Sequence, residues 1–555
     1  MGKGNCRFSL NSKLSKKALF HIMRLENVGS GSDSDTGLMF SGQFGMLKFK
    51  HVFFRSFVGS NGASQVVFAF LLIPCCLATD FRAAPFLPNI SFLWGWNAPT
   101  EPCSKKFSVS IDLSLFSLIG NPQKDAIGQP ITLFYVDRLG LYPHLNKHNQ
   151  PEHGGLPQLG NLTAHLNKAR TDINTYIPKD DPGLAIIDWE EWRPIWARNW
   201  KPKDIYRNKS IQWVQRQNPG LSAIDASNRA KQNFETAGKN FMKETLTLAK
   251  SIRPKNLWGY YLFPDCYNHH YTGPVYNGSC PYIEMRRNNE LGWLWSESTA
   301  LYPSIYLNTV LKDSIRGARF ARNRVLEAIR VSGVRNAKSP LPIFVYARPV
   351  FTDVSSEYLT EMDLVNTIGE TTSLGASGMI LWGSFNLSQT VDTCRKLQGY
   401  MNTTLNPYII NVTLAAKMCS QVFCQEKGVC TRKDVNTESY LHLNPIHLTV
   451  ELVENGQFTI KGEPTVEDLK LFADHFICSC FANMACEKKV NVETDTIYIN
   501  VCASKNVCLR TVLNPRNATS PNSTREILHS STSLVLFLLF LIVLENERFG
   551  MQTRL

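Results

Sequence analysis

The apolar run Leu184-Ala185-Ile186-Ile187 limits what this 555-residue chain can fold into more than any other feature, because of how it begins and ends. It is entered from the turn signal Asp181-Pro182-Gly183 and left through Asp188-Trp189-Glu190-Glu191, the pattern of a buried strand with a polar exit. Residues i and i+2 of a strand point to one face. Asp188 and Glu190 are therefore expected side by side at the strand's C-terminal edge, with Glu191 on the opposite face. Two adjacent carboxylates cannot both ionise cheaply, so one holds a proton near neutral pH and can serve as a general acid. Such a pair suits glycosidic bond cleavage. The plain alternative is a polar strand end running into a loop. Against it, Arg193 and the indoles of Trp189, Trp192, Trp196 and Trp200 follow closely. Aromatic faces stack on sugar rings, which favours a carbohydrate site.

From Phe86 to about Thr413 short apolar strands alternate with amphipathic helices, as an α/β barrel requires. Strands are expected at Pro130–Tyr135, Leu184–Asp188, Leu257–Leu262, Ile343–Tyr346 and Met379–Trp382. In such barrels the site forms at the C-terminal strand ends. Asp225–Ser251 repeats Phe234, Phe241 and Leu248 seven apart, with Ala230 and Ala237 between, which predicts a helix with one buried face. Arginines 316, 319, 322, 324 and 330 line a second helix. They read by default as a solvated face, with a polyanion-binding rim as the alternative. No internal repeat is evident.

A net charge of +13 draws a chain toward polyanions without choosing among nucleic acid, glycans and anionic lipid. The stretch Val66–Cys76, preceded by Lys48, Lys50 and Arg55 and closed by Cys76-Leu77-Ala78, reads as a signal peptide spanning 46–78. Residues 1–45 are an atypical leader extension and are set aside from the fold. Of fifteen cysteines, Cys6, Cys75 and Cys76 leave with the leader, and the even remainder implies disulfides rather than metal. Cys419-x4-Cys424-x5-Cys430 followed by Cys478-x-Cys480-x5-Cys486 resembles an epidermal-growth-factor-like module, assigned to 414–490. No CxxC or nearby HxxxH supports zinc. His269 and His270, beside Cys266, read as surface residues and not as metal ligands. Glycan acceptors are expected at Asn89, Asn161, Asn208, Asn277, Asn386, Asn402, Asn411, Asn517 and Asn522. Residues 491–533 form a C-terminal extension and a stalk rich in Ser, Thr and Asn. The apolar run Leu534–Leu544 would span about 16 Å as a helix, too short for a bilayer. With Asn522-Ser523-Thr524 upstream, the tail 534–555 fits a GPI signal, although the charged Glu545–Leu555 departs from the usual apolar ending.

Four segments carry a family resemblance. DWEEWRPIWARNWKPKDIY from Asp188, WGYYLFPDCYNHHY from Trp258, ALYPSIYLN from Ala300 and GASGMILWG from Gly375 resemble the animal hyaluronidases in the same order, over roughly Phe86 to Cys486. The resemblance implies a distorted TIM-like (β/α) barrel over 79–413 carrying the small disulfide-rich module. It also implies an endo-β-N-acetylhexosaminidase that cleaves β-1,4 linkages of hyaluronan, with the substrate's acetamido carbonyl as nucleophile and retention of configuration. Glu190 matches the proton donor and Asp188 its partner, which raises the donor's pKa and steadies the acetamido N–H. Tyr135, Tyr261, Tyr306, Arg324, Asp353 and Trp382 match groove positions. Tyr261 and Tyr306 hold the acetamido oxygen and Trp382 floors its pocket, unless these aromatics serve packing alone. Arg324 pairs either with a glucuronate carboxylate or with a buried acid of the protein. The implied disulfides are Cys103–Cys394, Cys266–Cys280, Cys419–Cys430, Cys424–Cys478 and Cys480–Cys486, which leaves Cys502 with Cys508.

No cofactor or metal is expected. The extra disulfide, stalk and tail resemble the sperm-surface adhesion branch of the family. This implies a GPI-anchored protein on the extracellular face of the plasma membrane, which meets hyaluronan and cell-coat glycans during fertilization, with no nucleic-acid partner. A glycan-binding adhesion protein with little catalysis, or a chondroitin-preferring hydrolase, is the competing reading.

Overall fold

The computed structural model describes residues 81–454, 456–486 and 490–514. The leader, the signal peptide, most of the stalk, the tail, Asn517 and Asn522 lie outside these residues. No helix among those described is long and apolar enough to cross a membrane.

Seven parallel strands form the staves of a barrel. Leu118–Gly120, Leu93–Asn97, Gly378–Trp382 and Phe344–Ala347 lie in that order on one side, and Asn256–Tyr260, Gly183–Ile187 and Ile131–Phe134 on the other. Residues 301–304 bridge the two groups, with Leu301 on Ile343, Ser304 on Tyr346 and Tyr302 on Tyr261. Pro303 has no N–H to give, so this stave is a row of bridges and not a continuous strand. It also lies very close to its neighbour. A Cβ at Gly259 would meet the Ala300 carbonyl oxygen at 2.3 Å, so only glycine fits there.

Strand alternation divides the apolar residues between two layers. Leu93, Leu133, Leu184, Ile186, Phe344, Tyr346 and Ile380 fill the barrel interior. Phe134, Ala185, Ile187, Trp258, Val345, Met379 and Leu381 face the surrounding helices. Leu184 and Ile186 therefore put position 188 on the inward face, as alternation requires. Strands Leu93–Asn97 and Leu118–Gly120 were not read from the sequence: LWGWN is glycine-interrupted and too short to show a period.

Helix Ala223–Ile252 is capped by Ser222, whose hydroxyl accepts from the Asp225 N–H, and buries Ala226, Ala230, Phe234, Phe241 and Ala249. Helix Ile315–Ser332 corrects the solvated basic face expected of its arginines. Arg322 and Arg324 are buried. Arg322 pairs with Glu370 at 2.6 Å and Arg324 with Asp265 at 2.8 Å, while Arg330 pairs with Glu327 at 2.7 Å. Arg316 and Arg319 donate to the carbonyls of Tyr271 and Tyr276.

The expected boundary at 413/414 falls inside helix Asn406–Cys424, which is continuous from the barrel side into the disulfide-rich region. Strand Gly428–Arg432 pairs with Phe476–Cys480, Leu448–Leu452 with Phe458–Gly462, and Ile497–Cys502 with Cys508–Leu513. Fully buried Glu370 receives hydrogen bonds from Arg322, Arg432 and Tyr440, which ties this region to the barrel. Among the described residues there are six disulfides: Cys103–Cys394, Cys266–Cys280, Cys419–Cys430, Cys424–Cys478, Cys480–Cys486 and Cys502–Cys508. Asn89, Asn161, Asn208, Asn277 and Asn386 are exposed. Asn411 is half-buried within its helix, and its Oδ1 accepts from the Leu443 N–H.

Candidate active site

The strand ends on the C-terminal side open into a cavity of about 300 Å³ lined by Tyr135, Asp188, Glu190, Tyr261, Tyr306, Tyr346, Arg348 and Trp382. Tyr261 and Tyr306 are shared with a second cavity of about 360 Å³, bordered by Arg193, Trp200, Lys203, Tyr267, His269 and Arg324. The two make one cleft.

Asp188 is the first residue past its strand, and its N–H still donates to the Phe134 carbonyl at 2.8 Å. That bond holds it at the cavity floor. Its Oδ1 is buried with no hydrogen-bond partner. Burial first, and the charge of Glu190 second, push its carboxyl up to about 8. Glu190 meets a different environment. Its Oε2 accepts from Arg193 Nη2 at 2.9 Å, and Arg193 Nη1 donates to its carbonyl at 3.0 Å. Arg193 is held by a loop wound around buried Asn199, which accepts from the Arg193 N–H and donates to the carbonyls of Arg193 and Ile195. Lys203 also donates to the Glu190 carbonyl. Glu191 sits away from this cavity, half-buried toward Tyr142 and Tyr206.

Around the pair stand phenols that stay protonated. Burial pushes Tyr135 up to about 12 and raises Tyr261 and Tyr306 far above the ordinary tyrosine range. Tyr135 accepts from the Trp382 indole N–H at 3.2 Å, and Tyr261 donates to Ser304 at 3.3 Å. Tyr306 stacks on Trp382 with ring centroids 6.3 Å apart. The result is a pocket walled by phenol and indole rings, a shape that takes a sugar ring with an amide substituent.

Of two further expected groove residues, one borders the second cavity but is engaged by the protein itself, and the other lies outside the cleft. Arg324 is buried against Asp265, so of its two alternatives the structure takes the protein's own acid. Asp353 is exposed and caps the backbone N–H of Thr309 at 3.0 Å, outside both cavities. Of the four indoles read as sugar platforms, Trp189 and Trp192 are core residues stacked on Tyr142. Trp196 packs on Phe234, and only Trp200, edge-on to Tyr267, borders the cleft. Tyr346 and Arg348 line the pocket but were not singled out from the sequence. The signal was available: both stand at the end of an expected strand, where barrel chemistry is found. Among the described residues no group of three or more His, Cys, Asp or Glu is positioned for a metal ion.

The sequence profile of the hyaluronidases matches residues 81–491. The chain is 55% identical over 505 residues to hyaluronidase PH-20 of Macaca fascicularis, covering 90% of this chain and 99% of that protein. It is 54% identical to hyaluronidase PH-20 of Homo sapiens over the same length, with the same coverage. Human hyaluronidase-4 is 47% identical, with 72% and 83% covered. Among solved structures, bee venom hyaluronidase in complex with a hyaluronic acid tetramer aligns with 57% of this chain and 98% of its own, at 32% identity and a TM-score of 0.49.

Proposed function

The chain belongs to the hyaluronidase family of glycoside hydrolases, and on that premise we propose that it cleaves the β-1,4 bonds of hyaluronan through Glu190 and Asp188. The observation that carries this reading is the unequal carboxyl pair. Both acids line one cavity, yet one is desolvated and the other is ion-paired. Near neutral pH Asp188 holds a proton in the free protein. When the acetamido N–H of the substrate donates to Asp188, it favours the carboxylate form. The proton then passes to Glu190, and Asp188 becomes the charged acceptor.

Glu190 next protonates the leaving glycosidic oxygen while the substrate's acetamido carbonyl attacks the anomeric carbon. Glu190 returns as base toward water, which opens the cyclic intermediate with net retention. Tyr261 and Tyr306, as neutral phenols, donate to the acetamido oxygen, and Trp382 forms the pocket floor. Glu190→Gln keeps shape and hydrogen bonding but carries no transferable proton. Turnover in a reducing-end assay should fall by about 10²–10⁴ while hyaluronan binding survives. Full activity in the folded variant, or an inverted product anomer by NMR, sinks the mechanism.

We further propose four finer points, supported by the tail Asn522–Leu544 and by the resemblance to the sperm-surface branch of the family. They are residence on the extracellular face of the sperm plasma membrane, a GPI lipid, contact with cell-coat glycans at fertilization, and chondroitin as a second substrate. Glycans at Asn161, Asn208, Asn277 and Asn386 suit their exposure, while the bond from Leu443 opposes one at Asn411.

A further inference from the structure

Arg348 follows strand Phe344–Ala347 directly and enters the catalytic cavity beside Tyr346. Its guanidinium carbon lies 5.2 Å from the ring centre of Trp382 and 5.8 Å from that of Tyr306. The two rings hold the charged fork in place. Its buried Nε has no hydrogen-bond partner.

The other arginines along the cleft are already neutralised by the protein. Arg193 is held by Glu190 at 2.9 Å, Arg198 by Glu284 at 3.0 Å and Arg324 by Asp265 at 2.8 Å. Among the described residues Arg348 has no carboxylate within ion-pair distance. The acids sharing its cavity do not serve it: Glu190 is engaged by Arg193, and neither Glu190 nor Asp188 lies within ion-pair distance of the Arg348 guanidinium. A planar guanidinium fixed on an aromatic wall, facing a pocket and lacking a counter-ion, is built to take a carboxylate from outside through two parallel hydrogen bonds.

Resting on the reading of hyaluronan as substrate, we infer that Arg348 binds the carboxylate of the hexuronate adjoining the amino sugar in the Trp382 pocket. In that polymer each N-acetyl sugar is flanked by uronates, so a carboxylate lies one residue away whenever the acetamido group is seated. Arg348 thereby fixes the register of the chain, since a one-sugar slip brings an amino sugar, which has no acid, to the guanidinium.

The test compares hyaluronan with the same polymer methyl-esterified on its uronates, for the unaltered enzyme, Arg348→Met and Arg348→Lys. Arg348→Met should raise KM on hyaluronan about 10–100-fold, the range of a charge-assisted hydrogen bond, with kcat within about threefold. On the ester the unaltered enzyme and Arg348→Met should be alike within about threefold. Arg348→Lys keeps the charge but not the fork, and should fall between them on hyaluronan. An equal loss by Arg348→Met on both polymers would mean that the residue only props Trp382 and Tyr306, and would overturn the inference. So would an unchanged KM on hyaluronan in either variant. Cleavage of hyaluronan by the unaltered enzyme, measured alongside, tests the reaction separately from the role of Arg348.

Discussion

Asp188→Asn measures what the fold forgoes to keep a carboxyl at the floor of the cleft. Burial and then the Glu190 charge raise Asp188 from the ordinary range near 4 to about 8. In the unfolded chain it titrates near 4, so between about pH 4 and pH 8 the folded state holds a proton that the unfolded state has lost. The contribution of this group to stability is therefore full below pH 4 and is lost as pH rises through about 8. A displacement of about four units corresponds to a ceiling of about 5–6 kcal/mol at 1.36 kcal/mol per unit. Asp188 keeps some contact with solvent, which brings the expected loss to about 2–4 kcal/mol.

Asparagine fills the same space and does not titrate. The variant should match the unaltered protein near pH 4 and exceed it by about 2–4 kcal/mol at pH 8, while its turnover falls because residue 188 no longer carries the proton. Urea unfolding with disulfides intact, at pH 4, 6 and 8, gives the comparison. Parallel pH dependence in the two proteins would refute the placement of the proton on Asp188, whatever happened to activity.

Two further outcomes are expected. Glu370→Gln leaves the buried Arg322 and Arg432 without their shared counter-charge and should destabilise by about 3–5 kcal/mol, read as a lowered thermal midpoint; an unchanged midpoint would mean that the two guanidiniums are satisfied by backbone carbonyls alone. Phosphatidylinositol-specific phospholipase C should release the protein from cells, as Asn522–Leu544 suggests; retention with an epitope at Leu555 still present would rule out the lipid anchor.

The fold was legible where a residue's role depends on near neighbours in the chain. Strands Gly183–Ile187 and Gly378–Trp382 are continuous apolar runs, and the burial of Phe234 and Phe241 follows from helical spacing. Charge and proton placement were legible only in part, because they depend on partners distant in sequence. Arg322 and Arg324 stand two apart on one helix and look alike as letters, yet one meets Glu370 and the other Asp265. Spacing identified Asp188 and Glu190 as a pair. It could not say that a strand end would desolvate the first, or that a loop wound on Asn199 would bring Arg193 to the second. The indoles show the same limit, since a tryptophan suits a core and a sugar face equally well, and only Trp200 was left at the cleft.

Arg348 carries the point furthest. Its availability to a ligand is not a property of its own sequence neighbourhood; it follows from Glu190, Glu284 and Asp265 being already taken by other arginines. A free charge in a cleft is defined by subtraction over the whole fold. Removing one of those pairings should accordingly change what Arg348 does: in Arg193→Met, Glu190 loses its counter-ion and becomes a competitor for Arg348 inside the same cavity. Hyaluronan affinity should then fall further than the loss of Arg193 contacts alone explains, and the fall should be non-additive with Arg348→Met. Strict additivity of the two substitutions would show that Glu190 and Arg348 do not sense one another.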